Sequence, residues 1–529
     1  MTPVFLKTLM GEGYDESTGM ALDSHGNILL AGTFRKSLDF DPGPESHVEN
    51  ASGSDEFGFI GKYDSQGAIA WVHVYKSYLR GNSKHGDIAV DAQDNIIVTG
   101  VCKGTVDLGF GIEGGIIPSA SGWAAFVAKY GPDGTFKWAV PITAVSGTGY
   151  PKPENLAVSE SGEIILSGTL SGKIDFDPSD GESVVESKGN YSSGFVVKYS
   201  TDGTLGWFLG IPNAGKMLIA SGPDKSVGIA GTFYDSTIVP GGQVIYSDSR
   251  FGSRHSSGMF VGVLEANGDL RWIDEYGAST NTAGGEDVAS VKIAENGTVY
   301  VAGRYNGEFR VGDTVLSDTL RYQLYWASFD EQGNLLNAFS HALDTWPKRM
   351  QISESGALYI AGNCFEDTLA GIAHATFFIS RYSPSDTVVW LGKAQGASLD
   401  NLIDFALLDD RHVLITGYTY DSESADRDPF FGKWLLENSA GIEESPRIGG
   451  TILKERVRAV KGRELIVDGI GENTGIVLMN LGGARVLYSS VSSVGITRIP
   501  LSSLSAGVYL ARFAKCSSEL PPMRIRVGF

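Results

Sequence analysis

Two aspartates on either side of a phenylalanine are the residues in this chain that most invite a chemical reading. Asp39 and Asp41 stand in "LDFDPG" (Leu38 to Gly43), and Asp175 and Asp177 in "IDFDPS" (Ile174 to Ser179). Side chains two apart in an extended segment point the same way, so each pair could hold a calcium ion between hard carboxylate oxygens. The Pro-Gly and Pro-Ser that follow suit a plain turn equally well. Asp15, Glu16, Glu154, Glu286, Asp287, Asp400 and Asp404 form a second acidic set on other segments. Two carboxylates facing each other across a channel would serve glycoside hydrolysis or hold a cation. In an acidic chain, solvated loop acids are the plainer alternative. Tyr14, His85, Tyr150 and Trp346 make an aromatic and polar set of the kind that stacks sugars or grips a peptide. Their structural alternative is the packing of loops.

Other chemistry finds no motif. The chain contains no GxSxG, HExxH or DxDxDG, and its eight histidines are scattered away from metal-ligand spacing. Three cysteines make no disulfide framework and no zinc pattern; Cys102 and Cys364 each lie two residues after a repeated glycine and read as small core residues. "GIPNAGKM" at Gly210 imitates a phosphate loop, but Met217 replaces the hydroxyl residue and a strand follows instead of a helix.

What must position the candidate residues is a repeat. "ILLAGTF" (Ile28), "IIVTGVC" (Ile96), "IILSGTL" (Ile164), "SVGIAGTF" (Ser226), "VYVAGRY" (Val299), "LYIAGNC" (Leu358) and "VLITGYT" (Val413) share Gly32, Gly100, Gly168, Gly231, Gly303, Gly362 and Gly417. Their spacings, from 55 to 72 residues, predict a propeller or solenoid. Within a unit, an apolar segment and a tight turn precede the glycine strand. A longer variable loop follows, then a strand ending in Lys-Tyr, as at Tyr63, Tyr130 and Tyr199, with Arg-Tyr at Tyr382. An Asp/Asn-Gly hairpin then leads to a strand with Trp71, Trp138, Trp207, Trp272 or Trp390. Each unit therefore predicts a four-stranded antiparallel meander, one propeller blade. The seventh lacks its fourth strand, and "PVFLKTL" at the N-terminus supplies one at the right interval. The expected fold is an all-β, seven-bladed propeller over residues 1–441, closed by that strand.

Residues 442–529 break the repeat and predict a small antiparallel β-sandwich. Net charge is −20 overall, but +7 from Pro446 onward and −27 before it, which argues for two domains with different partners. An acidic body repels phosphate backbones, so nucleic acid is excluded as its ligand. No apolar run is long enough for a transmembrane helix, and the opening residues lack a signal-peptide pattern.

Two resemblances add to this. The body is similar to the bacterial SBBP-type β-propeller repeat family, with its "GTF…DFDPG…FVxKxDxxGxxxW" succession; that family implies a propeller and no particular ligand. The tail resembles the C-terminal sorting domain of type IX secretion cargo in Bacteroidetes and related bacteria. The matching stretches are Met479 to Val486, which includes Leu481, Gly482 and Gly483, and Leu501 to Tyr509, which includes Gly507 and Tyr509. The Asn-Pro common near the start of that domain is missing. The resemblances imply a secreted or outer-surface protein, here in mature or truncated form, which engages the type IX machinery through its tail. The expectation is a monomeric, non-catalytic module binding a glycan or a protein, with no cofactor unless calcium occupies the paired aspartates. An extracellular polysaccharide hydrolase or lyase is the alternative. Tight hairpins join strands one to two and three to four, so the remaining loops share the opposite face, where the ligand is expected.

Overall fold

The computed structural model describes residues 2–436 apart from the segments 52–55, 78–85, 119–121, 146–148, 178–182, 188–191, 235, 247–256, 279–286, 318–321, 365–376, 383–386, 393–398 and 421–425, with the backbone alone at a few strand ends and at 341–344 and 387–400; in 456–527 it describes the strands without their side chains. The chain is all-β, with no helix among the described residues.

Antiparallel meanders follow one another as the glycine grammar predicts. In the first unit Glu16–Leu22, Ile28–Arg35, Glu56–Tyr63 and Ile69–Ser77 pair in that order. The third unit repeats the pattern with Tyr150–Val158, Ile164–Ser171, Ser193–Tyr199 and Leu205–Ile211. In the last unit Leu399–Leu407, His412–Tyr420 and Arg427–Leu435 are completed by Thr2–Thr8, which pairs antiparallel with Arg427–Leu435. Apolar cores lie between successive sheets: Leu29, Ala31 and Ile60 of the first unit pack with Ile96, Val98 and Phe126 of the second. The repeated glycines admit this packing, since a Cβ on Gly100 would stand 2.6 Å from the Phe126 ring.

The Lys-Tyr and Trp positions tie each unit to the next. Lys62 Nζ reaches Asp23 in its own unit (2.9 Å) and donates to the Pro132 carbonyl of the following hairpin (2.8 Å). Lys129 joins Asp91 (2.9 Å) to the Thr201 carbonyl (3.2 Å), and Lys198 joins Glu163 (3.3 Å) to the Ala266 carbonyl (3.2 Å). The indole N–H groups of Trp138 and Trp207 donate to those same carbonyls of Thr201 and Ala266. Their rings cover Gly203 and Gly268, whose φ values of 88° and 91° suit a residue without Cβ.

Two expectations are refined. The variable loop after the second strand holds its own short hairpin in several units, such as Ser37–Asp39 with Val48–Asn50 and Lys173–Asp175 with Val184–Glu186. The segment around Trp346 is not a loop: Leu335–Ile352 is one continuous strand that closes the fifth sheet and opens the sixth. Its backbone donors and acceptors find partners on successive sheets, so no turn is needed between them.

In the tail, Arg456–Lys461, Glu464–Ile470 and Gly495–Pro500 form one sheet. Arg485–Ser490, Gly475–Asn480, Gly507–Lys515, Ser518–Glu519 and Met523–Val527 form another. Gly507 opens its strand and Tyr509 pairs with Asn480 and Ile525. Leu481, Gly482 and Gly483 lie outside the described residues.

Candidate functional site

The first strand of each unit lies innermost, and a strand at an inner edge has N–H groups facing no neighbouring ladder. These strands solve the problem with a bulge and a polar side chain. Register slips between Ser17/Gly19, Pro153/Asn155, Val288/Ser290, Pro347/Arg349 and Leu402/Asp404. The residue after the bulge then reaches the next inner strand. Asp87 Oδ2 accepts from Leu156 N (3.1 Å), Asn155 Oδ1 from Ile219 N (2.9 Å), and Asp404 Oδ2 from Met20 N (3.3 Å). Asp87 and Asp404 each also cap the N–H of the residue after them, Ile88 and Phe405. Gly19 occupies the same place in the first unit, where a Cβ would stand 2.8 Å from Asp87 Oδ1.

Arg349 joins this belt across units. Its Nη2 lies 3.2 Å from Asp87 Oδ1 and its Nε 3.4 Å from Asp404 Oδ1. Burial pushes the Asp404 carboxyl above the ordinary carboxylate range, against the pull of Arg349. Lys292, enclosed nearby, is pushed below its ordinary range first by burial and then by Arg349, while Asp404 and Asp87 oppose the shift. The two carboxylates are thus committed to backbone donors and one guanidinium, an arrangement that fixes inner strands and leaves neither acid free for proton transfer.

Toward the start of the inner strands the surface turns aromatic and cationic. The Trp346 ring is 38% exposed, with Arg304 Cζ 4.3 Å and Lys348 Nζ 4.1 Å from its centroid. Arg304 also lies over Tyr322 (4.8 Å). Tyr14 is likewise 38% exposed, beside Arg35 (5.5 Å) and Arg427 (5.0 Å). Salt bridges line the same strand ends: Lys152 with Glu154 (2.9 Å), Lys216 with Asp287 (3.1 Å), and Arg427 with Glu16 (3.0 Å). Asp15 sits beneath this surface, fully buried. Its Oδ1 accepts from Arg35 N (2.9 Å) and its Oδ2 has no partner among the described residues. Burial, with Asp428, Asp426 and Glu56 adding repulsion against the Arg35 hydrogen bond, raises this carboxyl to about 8.

Tyr14 and Trp346 therefore stand exposed at entries to inner strands. Tyr150, at another such entry, is half-buried and edge-on to Trp123 (5.1 Å). His85 and Glu286 fall outside the described residues, as does the Asp400 side chain. The aspartates of "LDFDPG" are engaged by their own loop. Asp39 Oδ1 accepts from Asp41 N (3.0 Å) and His47 N (2.8 Å), and Oδ2 from Ser46 Oγ (2.9 Å). Burial alone would raise Asp39, but these hydrogen bonds outweigh it and hold the carboxyl below its ordinary value. Asp41 Oδ1 accepts from Gly43 N (2.7 Å), and Asp175 Oδ1 from Asp177 N (3.0 Å). Phe40 and Phe176 fill the core, and the Phe176 carbonyl accepts from Tyr199 Oη (3.0 Å). Among the described residues no three His, Cys, Asp or Glu side chains group as a metal site.

The axial belt escaped the sequence reading, although a signal for it exists. Gly19, Asp87, Asn155, Leu218, Ser290, Arg349 and Asp404 each stand 13 residues before a repeated glycine. The offset is constant while the residue type is not.

No known family matches the chain. An uncharacterised WD repeat-containing protein of Acanthamoeba polyphaga mimivirus is 24% identical over 93% of this chain, which spans only 37% of that protein's length. Among solved structures, the polysaccharide lyase Uly1 is similar over 83% of this chain and all of its own, with 9% identity and a TM-score of 0.47. Virginiamycin B lyase from Staphylococcus aureus is similar over 81% of this chain and 98% of its own, with 9% identity and a TM-score of 0.38.

Proposed function

We propose that the seven meanders are blades of a closed propeller, sealed where Thr2–Thr8 pairs with Arg427–Leu435, and that the protein is a non-catalytic binding module. Its ligand is a glycan or protein segment bearing acidic groups, taken up on the face where the inner strands begin. The observation that carries this reading is the exposed Trp346 ring with Arg304 and Lys348 against it. A flat ring stacks on a sugar or peptide plane, and the flanking cations select carboxylate or sulfate. The polysaccharide hydrolase or lyase reading is weaker, because Asp87 and Asp404 are tied to Arg349 and Asp15 is sealed from solvent.

The tail, whose strands pair among themselves, serves in this reading as the type IX sorting domain of a secreted or surface-held protein. Calcium at Asp39/Asp41 and Asp175/Asp177 stays an accessory proposal, tested by adding calcium and chelator to a thermal melt.

A glycan and protein array on the full chain tests the main reading. Acidic ligands are expected to bind, with at least a tenfold loss in Trp346→Ala. Unsaturated or reducing ends released from an acidic polysaccharide would instead establish catalysis.

A further inference from the structure

The lysine tie between units is missing once where a cavity takes its place. At the position of Lys62, Lys129 and Lys198 the fourth unit carries Val263, and at the position of Asp23 and Asp91 it carries Gly222. Both halves of the ion pair are gone. Between the fourth and fifth units a pocket of about 310 Å³ opens at this point. Val263, Ile293 and Val299 give it an apolar lining, and Asp224, Glu295 and Glu331 give it acids.

Three features distinguish this pocket from an ordinary acidic surface. Glu331 occupies the hairpin position of Pro132, Thr201 and Ala266, whose carbonyls receive the lysine ammonium in the first three units. Asp224 is engaged by Arg271 (2.6 Å), which also pairs with Glu265 (2.8 Å), whereas Glu295 and Glu331 make no ion pair among the described residues. Finally, the Trp272 indole N–H is buried without a partner, while its counterparts Trp138 and Trp207 donate to the hairpin carbonyls. Gly297 leaves room for Glu331, since a Cβ there would stand 2.6 Å from Glu331 Oε1.

We propose that this pocket accepts a lysine side chain from a partner protein. The alkyl stem lies on Val263, Ile293 and Val299, and the ammonium takes the place that the chain's own lysine fills in the first three units, facing Glu331 and Glu295. The stem and the charge are both required: an alkyl group alone leaves the carboxylates unpaired, and a bare cation leaves the apolar lining wet. The pocket lies among the tight hairpins, at the opposite ends of the blades from Trp346, so it is a second site independent of the loop-face reading.

The test uses the full chain and two probes, Nα-acetyl-lysine methylamide and its norleucine counterpart, followed through the indole N–H signal of Trp272. The lysine probe is expected to shift that signal saturably and the norleucine probe to leave it in place. Glu331→Gln, an exposed change, should weaken lysine binding at least tenfold. Val263→Lys should abolish it by restoring an internal ammonium, and should raise the melting temperature. Trp346→Ala should leave it unchanged. Equal responses to the two probes, no saturable response, or full binding by Glu331→Gln would each overturn the proposal.

Discussion

Asp15 carries a measurable consequence for pH. Its folded carboxyl titrates near 8, against about 3.8 for an unperturbed aspartate, so between those values the folded chain holds a proton that the unfolded chain has lost. Stability from this group is therefore full below about pH 4 and declines as pH rises toward 8, by at most about 1.4 kcal/mol per pH unit. Urea titrations of Asp15→Asn should show a flatter decline between pH 5 and 8 than the parent; an unchanged slope would assign the decline to another group. Arg349 gives the sharper test of the axial belt. Arg349→Met leaves Asp87 and Asp404 enclosed without their guanidinium, and a loss of ~3 kcal/mol in chemical denaturation is expected. A loss below ~1 kcal/mol would mean that backbone donors alone satisfy both acids. These residues also mark where sequence reasoning stops. Gly32 and Gly100 were legible because one requirement, room for a neighbouring ring, selects one residue type at each repeat. The belt position instead accepts Gly, Asp, Asn, Leu, Ser or Arg according to what lies across the axis, so only its offset repeats.

At the scale of elements, the Lys-Tyr motif reads in sequence as the end of a strand, and its partners emerge only in the fold. Lys129 spans two hairpins from two units, a relation with no trace in local periodicity because its carbonyl acceptor lies 72 residues away. Lys129→Met is expected to cost ~2 kcal/mol, since Asp91 loses its cation and the Thr201 carbonyl one donor. Its measurement by urea titration would separate a tie that stabilises from one that only aligns. The "LDFDPG" segment was legible as turn chemistry, and its small hairpin was not, because three-residue strands are too short for an alternating pattern to register. The N-terminal strand is the most consequential element. Removing residues 2–8 exposes the edge of Arg427–Leu435 together with Phe430 and Phe431. The truncated chain should lose its cooperative thermal transition or pair between copies, which light scattering and calorimetry would report.

For the molecule as a whole, charge and strand pairing divide the chain in the same place. The part from Pro446 is net positive and its described strands pair only with one another, while the body carries the negative excess. A chain ending at Ser445 is expected to melt as cooperatively as the full protein and, in the proposed reading, to be retained inside the cell; unfolding of the shortened chain would move the boundary. The body is nevertheless not seven equivalent parts. Leu335–Ile352 belongs to two sheets at once, with no turn between them. A chain pulled from its ends would meet ordinary loops at the other junctions, each able to yield while its neighbours hold. Here the tension would pass straight along one backbone, so the fifth and sixth units should come apart in a single larger extension step.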